Sequence, residues 1–517
     1  MPKNSVKHRM PNLKRLLKDR SIILVSNRGP VEFCRNESGA VETRRGGGGL
    51  VTAMTAISEA TQATWISAAM TDIECDLARD NNSIAFPSDN PLYDINLVDI
   101  PRDVYNDYYN VISNPLLWFI HHYLWDLSNH PSIGSNVYDA WHNGYLVANK
   151  LFAEAAAKAS AGVSNPIIML QDYHLFVAAQ YIRELTDRPF LFHFTHIPWP
   201  EPNYMSVLPF EMRRQLLQGM LANDIVGFQS RHYAGNFLLC CEALLGCTIN
   251  WRKRTVRWQN REVQVRTYPI SIDHQGLSAM SERDDVKLYE QQINNDNSGM
   301  RLIVRTDRSD PSKNIIRGFY GYDTLLRKHP ELKGKVTFLA FLYPTRESIR
   351  EYQEYKVAIE ETVRGINERH KTDSWQPIRL RIQDNYPESV AALTCYDVLL
   401  VNPIFDGMNL VAKEGPVVNK RNGVLVLSEN AGAVSELSGA GLIVNPFDVE
   451  ETANALYEAL MMSEAERHNR ASHLKEIVLK NNSVKWLYYQ IKDIIALEKK
   501  RVVTLAQDIE LSTDSLV

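Results

Sequence analysis

Residues 398–414 read Val-Leu-Leu-Val-Asn-Pro-Ile-Phe-Asp-Gly-Met-Asn-Leu-Val-Ala-Lys-Glu. The apolar run Val398–Val401 is typical of a buried parallel strand, and a helical pattern begins close behind it. Gly407 lets the chain turn sharply between the two. A strand, a turn and a helix in this order predict one unit of a parallel α/β sheet.

The same alternation extends in both directions from this segment. In the second half of the chain, apolar runs predict further strands at 302–304, 336–341, 378–382, 424–427 and 441–444. In the first half, strands are predicted at 21–25, 167–170, 190–194 and 224–228, and helices at 138–159, 175–185 and 211–220. A strand at 263–269 precedes a polar stretch, 283–298, that fits either a linker or an inserted helix. We therefore predict two α/β domains of similar size with a boundary between about 270 and 300, followed by an amphipathic helix at 486–498.

The composition argues against several classes of protein. The 517 residues include 57 Lys and Arg against 61 Asp and Glu, a net charge of −4, so no basic excess indicates a nucleic-acid partner. Six cysteines without zinc-ligand spacing predict reduced thiols and no metal site. The basic segment 1–20 lacks the apolar core of a signal peptide, and no apolar stretch is long enough to span a bilayer. We expect a cytoplasmic protein without a membrane partner.

Polar residues follow several of the predicted strands. Asp172 comes after the strand at 167–170, and His196 after the strand at 190–194. Arg308 and Lys313 come after the strand at 302–304, where a guanidinium fork and a point charge suit a diphosphate. Each of these residues also has a simpler explanation as a solvated or structural side chain. Because parallel sheets bind ligands at the carboxyl ends of their strands, the arrangement favours a site in the cleft between the domains.

Two glycine-containing turns are candidates for binding an anion. The run of four glycines at 46–49 can place N–H groups against phosphate or sugar oxygens, but it matches neither the dinucleotide nor the P-loop motif and is alternatively a surface loop. In 406–414, the N–H groups near Asn409 and Leu410 would point at an anion. Asp406 precedes this helix and Glu414 lies on it, although Asp406 is alternatively a simple helix cap.

Five motifs occur in order along the chain: Ser-Asn-Arg at 26–28 with the glycine run, Tyr-Tyr-Asn-Val-Ile-Ser-Asn-Pro-Leu-Leu-Trp at 108–118, Gln-Asp-Tyr-His-Leu at 171–175, His-Ile-Pro-Trp-Pro at 196–200, and Asp-Gly-Met-Asn-Leu-Val-Ala-Lys-Glu at 406–414. In these motifs the chain resembles the trehalose-6-phosphate synthase family of retaining glycosyltransferases, UDP-forming type. The resemblance implies an α/β GT-B fold, in which two Rossmann-like domains face each other across a cleft. It implies an N-terminal tail at 1–20, an acceptor-binding domain at 21–285, a nucleotide-sugar-binding domain at 286–484, and a C-terminal helix within 485–517 that crosses back to the first domain.

The resemblance also implies roles for the matching residues. The phosphate of a sugar-phosphate acceptor is expected at Arg28, Tyr109, Trp118 and Arg346. The nucleotide-sugar donor is expected at Gly48, Gly49, Arg308, Lys313, Asp406, Gly407, Met408, Asn409, Leu410 and Glu414. The residues expected to act in catalysis are Asp172 on the acceptor hydroxyls, His196 on the donor sugar, and Arg308, Lys313 and Asp406.

The implied activity is transfer of glucose from a nucleotide diphosphate glucose to glucose 6-phosphate, giving α,α-trehalose 6-phosphate with retention of configuration and without a metal ion or other cofactor. The chain departs from the usual family pattern within 307–314 and at Phe405 and Trp199. These departures leave open a related transferase with another acceptor, of the glucosylglycerol-phosphate or validoxylamine-phosphate type, and a non-catalytic nucleotide-sugar-binding homologue. The donor base (uracil, guanine or adenine) also stays open, and homo-oligomers occur in the family.

Overall fold

The computed structural model describes residues 16–17, 20–36, 39–45, 54–55, 58, 61–80, 83–187 and 189–514. Two predictions fall mostly or wholly outside these residues: the tail at 1–20 and the glycine run at 46–49 with Gly48 and Gly49. The described residues form a ten-stranded sheet, a six-stranded sheet and a small hairpin. No helix in this part of the chain is long and apolar enough to cross a membrane.

The first sheet carries the predicted sites of the first half. Its strands and the hairpin (β2 and β3) are β1 (Ile22–Val25), β2 (Val31–Arg35), β3 (Val41–Arg45), β4 (Thr64–Ala68), β5 (Ile84–Phe86), β6 (Tyr93–Val98), β7 (Ile167–Gln171), β8 (Phe190–Thr195), β9 (Ile225–Phe228), β10 (Thr248–Asn250), β11 (Thr255–Trp258) and β12 (Arg261–Thr267). The sheet order is β10-β11-β12-β9-β8-β7-β1-β4-β6-β5, parallel except at β5, β10 and β11. Alternate residues of β1 belong to different core clusters, so both faces of the sheet are covered. Strands β4 to β6 were not predicted.

Helices and two wide π-helical segments pack on this sheet. The α-helices are α1 (Asp72–Arg79), α2 (Arg102–Asn106), α3 (Trp118–His121), α4 (Ser135–Asp139), α5 (Leu146–Ser160), α6 (Ala178–Leu185), α7 (Pro202–Met205), α8 (Phe210–Leu221) and α9 (Arg231–Leu245). The π-helical segments Asp107–Leu117 and Ala140–Tyr145 cross closely, since a Cβ on Gly144 would lie 2.5 Å from the Cβ of Asp107. This crossing fixes the segment that carries Tyr109 and leads into Trp118.

The second sheet is wholly parallel and confirms the six strands predicted for the second half. Its order is β15-β14-β13-β16-β17-β18. The strands are β13 (Arg301–Arg308), β14 (Val336–Tyr343), β15 (Ile378–Ile382), β16 (Val398–Val401), β17 (Val424–Ser428) and β18 (Leu442–Val444). The helices are α10 (His274–Ser281), α11 (Asp284–Asp296), α12 (Ile315–Lys328), α13 (Arg350–His370), α14 (Tyr386–Cys395), α15 (Val411–Val418), α16 (Val434–Leu437), α17 (Val449–Met461), α18 (Glu464–Lys480) and α19 (Ser483–Asp514). Helix α11 shows that 283–298 is a helix and not a linker.

The C-terminal helix α19 returns to the first sheet. The indole Nε1 of Trp486 donates to the carbonyl of Tyr268 (3.0 Å), and the Tyr268 hydroxyl donates to Asp493 (2.8 Å). The two chain segments that pass between the sheets lie side by side, because Ser271 Oγ donates to the carbonyl of Asn481 (2.8 Å). Helix α10 packs on α14 and α15 of the second sheet, and the domain boundaries at 285 and 484 stay predictions.

Candidate active site

The two halves of the chain meet backbone to backbone at the carboxyl ends of their strands. A Cβ on Gly407 would lie 1.7 Å from the carbonyl oxygen of His196, so only glycine fits there. A Cβ on Gly432 would lie 1.8 Å from the carbonyl oxygen of Gly407, which makes a stack of three loops. The hydroxyl of Tyr233 donates to the carbonyl of Asp406 (2.8 Å) and strengthens the contact. The residues predicted on opposite sides of the cleft therefore lie together.

Asp172 occupies the loop directly after β7. Its φ of 69° and ψ of 177° lie in a region that glycine adopts easily and other residues rarely do. The carboxylate Oδ1 accepts a hydrogen bond from the backbone N–H of His196 (3.1 Å), while the N–H of Asp172 donates to Phe194 (2.8 Å). Burial raises the pKa of Asp172 to about 6, although the backbone N–H groups oppose the shift. Backbone strain and a raised pKa at one residue favour a functional role for Asp172.

His196 is a neutral imidazole held between two amides. Its Nε2 lies 3.0 Å from Gln171 Oε1, and its Nδ1 lies 3.4 Å from Gln229 Nε2. These partners select the tautomer with the proton on Nε2, because Gln171 offers an acceptor and Gln229 a donor. Burial lowers the pKa of His196 to about 3. The ring is therefore a fixed, uncharged hydrogen-bonding group and not a proton carrier near pH 7.

Trp118, Arg308 and Arg346 form one cationic cluster. The Cζ atoms of Arg346 and Arg308 lie 4.0 and 5.1 Å from the centre of the Trp118 ring, within cation–π range. Trp118 Nε1 also donates to Asp310 (3.3 Å), and Arg346 donates to the Tyr173 hydroxyl (3.1 Å). Trp118 belongs to the first half and the two arginines to the second, so the cluster spans the cleft.

Tyr109 joins Arg28 to this cluster. Burial raises the pKa of the Tyr109 hydroxyl, but the charges of Arg346 and Arg28 and a hydrogen bond with Arg28 outweigh it, so the pKa is lowered from its usual value. The Tyr109 ring stacks on His174 with 5.8 Å between centroids and 10° between planes. The four residues predicted to bind an acceptor phosphate are therefore gathered in one place, with two guanidinium groups facing one phenol.

Lys313 and Asp406 are paired on the donor side of the cleft. The Lys313 ammonium forms a salt bridge with Asp406 Oδ2, which also accepts a hydrogen bond from Asn409 Nδ2 (3.2 Å). Burial raises the pKa of Asp406, but the charge and hydrogen bond of Lys313, together with other nearby charges such as that of Arg308, outweigh it, and the pKa is lowered overall. The carbonyl of Lys313 accepts from Arg305 (2.9 Å), whose guanidinium is wholly buried against Asp307 (2.9 Å). This buried ion pair sets the position of the Lys313 turn.

The loop from Asp406 to α15 excludes the alternative in which Asp406 is a simple helix cap. The N-cap of α15 is Leu410, without a side-chain cap, so Asp406 is not its capping residue. Asn409 has a φ of 66°, and its turn leads the chain from Met408 into the helix. Glu414 is partly buried on the first turn of α15, and burial raises its pKa to about 7. The N-terminus of α15, with its partial positive charge, therefore faces the same region as Lys313.

The departures from the family pattern have structural explanations. Asn314 stands where the family usually has glycine; its φ of 56° is one that asparagine tolerates, and its Nδ2 donates to the carbonyls of Asn402 (3.0 Å) and Pro446 (2.7 Å). Phe405 stacks on Tyr123 across the cleft, with 4.4 Å between centroids and 30° between planes. Trp199 is wholly buried and meets the ring of Phe237 edge-on (5.0 Å).

Sequence reasoning missed three residues that position the site: Arg305, Asp310 and Tyr233. Arg305 and Asp307 are two apart, so they share one face of β13, and charges inside an apolar strand were a usable signal for a buried pair. Tyr233 carried no comparable signal, because its role depends on where α9 meets the Asp406 loop. No cluster of three or more His, Cys, Asp or Glu suited to hold a metal ion occurs in the described ranges.

The sequence of this chain is similar to that of a known family of glycosyltransferases. Residues 20–496 match the sequence model of glycosyltransferase family 20. The chain belongs to glycosyltransferase family 20. Among its relatives, the UDP-forming alpha,alpha-trehalose-phosphate synthase of Schizosaccharomyces pombe is 32% identical over 481 residues, covering 90% of this chain and 89% of the relative.

Solved structures share the fold of this family-20 chain. The UDP-forming alpha,alpha-trehalose-phosphate synthase of Burkholderia xenovorans, solved in complex with glucose-6-phosphate, is 27% identical with a TM-score of 0.79, covering 92% of this chain and 99% of that one. The N-terminal domain of a Candida albicans trehalose-6-phosphate phosphatase is 26% identical with a TM-score of 0.80, covering 93% and 97%. The predicted α/β GT-B fold, with two Rossmann-like domains facing across a cleft, is confirmed.

The Gly407 contact yields a prediction for the family-20 site. In Gly407→Ala the new methyl group must push the His196 carbonyl away, and a displacement of about 1 Å at a catalytic cleft costs about 100-fold in rate. The measurement is steady-state turnover together with the melting temperature. Gly235→Ala is the matched control, because Gly235 lies in α9 with open space around its Cβ position. That variant should keep its activity and gain about 0.5–1 kcal/mol of stability; equal activity in both variants would contradict the packing argument.

Proposed function

We propose that this chain transfers glucose from UDP-glucose to glucose 6-phosphate, forming α,α-trehalose 6-phosphate with retention of configuration. The observation that carries the proposal is the presence of two cationic groups in one cleft. In one, Arg346 lies over Trp118 and shares Tyr109 with Arg28; the other comprises Lys313 and the N-terminus of α15. Two phosphate-bearing substrates need two such groups. The named relatives in family 20 are UDP-forming synthases, which favours UDP-glucose as the donor.

The acceptor fits the group around Trp118. A sugar 6-phosphate would place its phosphate between Arg28 and Arg346, where guanidinium forks and the Tyr109 hydroxyl donate to phosphate oxygens. The sugar ring would then extend toward Asp172, whose carboxylate accepts hydrogen bonds from hydroxyl groups. The Burkholderia xenovorans relative was solved with glucose-6-phosphate, which supports this choice of acceptor.

The UDP-glucose donor fits the second cationic group, which comprises Lys313 and the N-terminus of α15. Its diphosphate would lie against Arg308, Lys313 and the N–H groups at Asn409 and Leu410, with Gly407 and Met408 lining the turn. Asp406 would bind hydroxyls of the glucose, and Glu414 those of the nucleotide ribose. The contributions of Gly48 and Gly49 stay predictions.

The proposed step breaks the bond between the anomeric carbon and the diphosphate oxygen and forms the bond from that carbon to the acceptor hydroxyl on the same face. The leaving diphosphate takes the hydroxyl proton. Positive charge develops on the sugar ring and negative charge on the leaving oxygens, which Arg308, Lys313 and the helix N-terminus stabilise. These fixed charges supply the stabilisation that a divalent cation gives in other transferases, so we propose a metal-independent enzyme.

Six free cysteines, four of them buried, support the proposal of a reducing, cytoplasmic location.

A product assay tests the function directly. UDP-, GDP- and ADP-glucose are each incubated with the protein, with and without glucose 6-phosphate and with EDTA, and the product is identified by mass. We expect nucleotide release only with the acceptor, fastest from UDP-glucose, unaffected by EDTA, with a disaccharide phosphate as product. Release with a different acceptor only, such as glycerol 3-phosphate, would instead identify a related transferase, and binding without turnover across an acceptor panel would identify a non-catalytic homologue.

The diphosphate assignment predicts the behaviour of two variants. Arg308→Ala and Lys313→Ala should each lower kcat by about 100- to 1,000-fold, because each removes a positive charge that stabilises the leaving diphosphate in the transition state. Circular dichroism should show an unchanged fold. Arg327→Ala is the control, since Arg327 is a half-exposed arginine of α12 paired with Asp323 away from the cleft. Near-normal rates for the Arg308 or Lys313 variant would remove that residue from the diphosphate site.

The raised pKa of Glu414 predicts that donor binding depends on pH. With a pKa of about 7, Glu414 is largely ionised above this pH and protonated below it. Only the carboxylate accepts from both ribose hydroxyls, so the donor KM, measured at saturating acceptor, should be about tenfold higher near pH 6 than near pH 8. Glu414→Gln should raise KM and remove this dependence. A variant that keeps the wild-type pH profile would show that another group titrates.

A further inference from the structure

We propose that Asp310 is a positioning residue that holds Arg308 and Arg346 in the arrangement needed by two substrates at once. The inference rests on the proposed function, in which Arg308 binds the donor diphosphate and Arg346 the acceptor phosphate. Asp310 touches neither substrate in that scheme. It acts through the two arginines.

One carboxylate oxygen of Asp310 contacts both arginines. Oδ2 lies 3.2 Å from Arg346 Nη1 and 3.9 Å from Arg308 Nη2. The Tyr352 hydroxyl lies 3.4 Å from the same oxygen and also bonds to Arg346. Asp310 is wholly buried beneath these groups. A single oxygen therefore sets the distance between the donor-side and acceptor-side guanidinium groups.

The other carboxylate oxygen ties this arrangement to the first half of the chain. Oδ1 accepts a hydrogen bond from Trp118 Nε1 (3.3 Å) across the cleft, and from the backbone N–H of Ser312 (2.9 Å) within its own turn. The N–H of Lys313 donates to the Asp310 carbonyl (3.0 Å). One residue thus links Trp118, the two arginines and the Lys313 turn.

Charge repulsion explains why such a group is needed. The guanidinium groups of Arg308 and Arg346 both lie over the ring of Trp118, and two like charges this close repel each other. Burial would raise the pKa of Asp310, but the neighbouring positive charges, those of Arg346 and Arg308 foremost, lower it to about 2. The carboxylate is therefore ionised throughout the working pH range, and its charge opposes the repulsion permanently.

A role for Asp310 through its charge alone and a role in positioning the arginines predict opposite changes in KM, so the two roles can be distinguished. If Asp310 contributed only its charge, the Asp310→Asn variant would carry more net positive charge and bind phosphates more tightly, so KM would fall. If Asp310 positions the arginines, the same variant loses their alignment, so the acceptor KM rises and kcat falls. A change that merely reduced the folded fraction would lower the apparent kcat and leave KM unaltered.

The experiment compares Asp310→Asn with Asp323→Asn. Asp323 is a matched control, because it is a buried carboxylate paired with Arg369 (2.6 Å) and His370 (2.7 Å) on the second sheet, outside the cleft. We expect Asp310→Asn to raise the KM of glucose 6-phosphate about tenfold and lower kcat about tenfold or more. Asp323→Asn should change the melting temperature but neither KM. A fall or no change in the KM of Asp310→Asn, or an equal rise in the control, overturns the proposal.

A second variant and a binding measurement keep the two proposals separable. Should Asp310→Asn fail to fold, Tyr352→Phe removes one of the hydroxyl contacts to Arg346, and an acceptor KM that does not rise would overturn the positioning role. Should the wild type form no trehalose 6-phosphate, calorimetric titration with UDP and with glucose 6-phosphate still tests the role of Asp310. Weaker glucose 6-phosphate binding in Asp310→Asn than in the wild type supports the role of Asp310 although the proposed reaction fails. A wild type that binds neither compound overturns both.

Discussion

The close approach of Gly407 to the His196 carbonyl is the contact on which the rest of the cleft depends. No side chain intervenes there, so at this point the distance between the two halves is set by backbone atoms. Asp172, His196, Lys313 and Asp406 lie on the loops that follow β7, β8, β13 and β16, the strands whose carboxyl ends surround this contact. Backbone packing is stiff, which gives side chains from two separate sheets one shared frame of reference.

The loops around that contact are held by charges that are themselves buried. Arg305 pairs with Asp307 beneath the Lys313 turn, and Asp310 joins Arg346 to Trp118. Burying an ion pair is costly unless its hydrogen bonds are complete, and the Arg305 guanidinium meets that condition through the carbonyls of Ile315 and Lys313. Stability and charge placement are therefore achieved by the same contacts.

Strands buried on both faces were predictable from the sequence, whereas strands near the hairpin were not. Val398–Val401 was predicted to the residue, because it is a short, wholly buried apolar run followed by a turn. β6 (Tyr93–Val98) alternates polar and apolar residues beside β5, so it lacks a continuous apolar run. Loop positions after the strands located Asp172 and His196, but not Asp310, because a carboxylate in a polar turn looks solvated in sequence. The helix-cap alternative for Asp406 was wrong because the carboxylate pairs with Lys313, 93 residues earlier on a neighbouring loop of the same half, and this contact leaves no local sequence signal.

The hydrogen bond between Ser271 and Asn481 has a mechanical consequence. The chain passes between the sheets twice, and this bond holds the two passages side by side. Because the two passages are joined, they cannot slide past each other without breaking this bond. A movement of one half relative to the other would therefore have to bend both passages together.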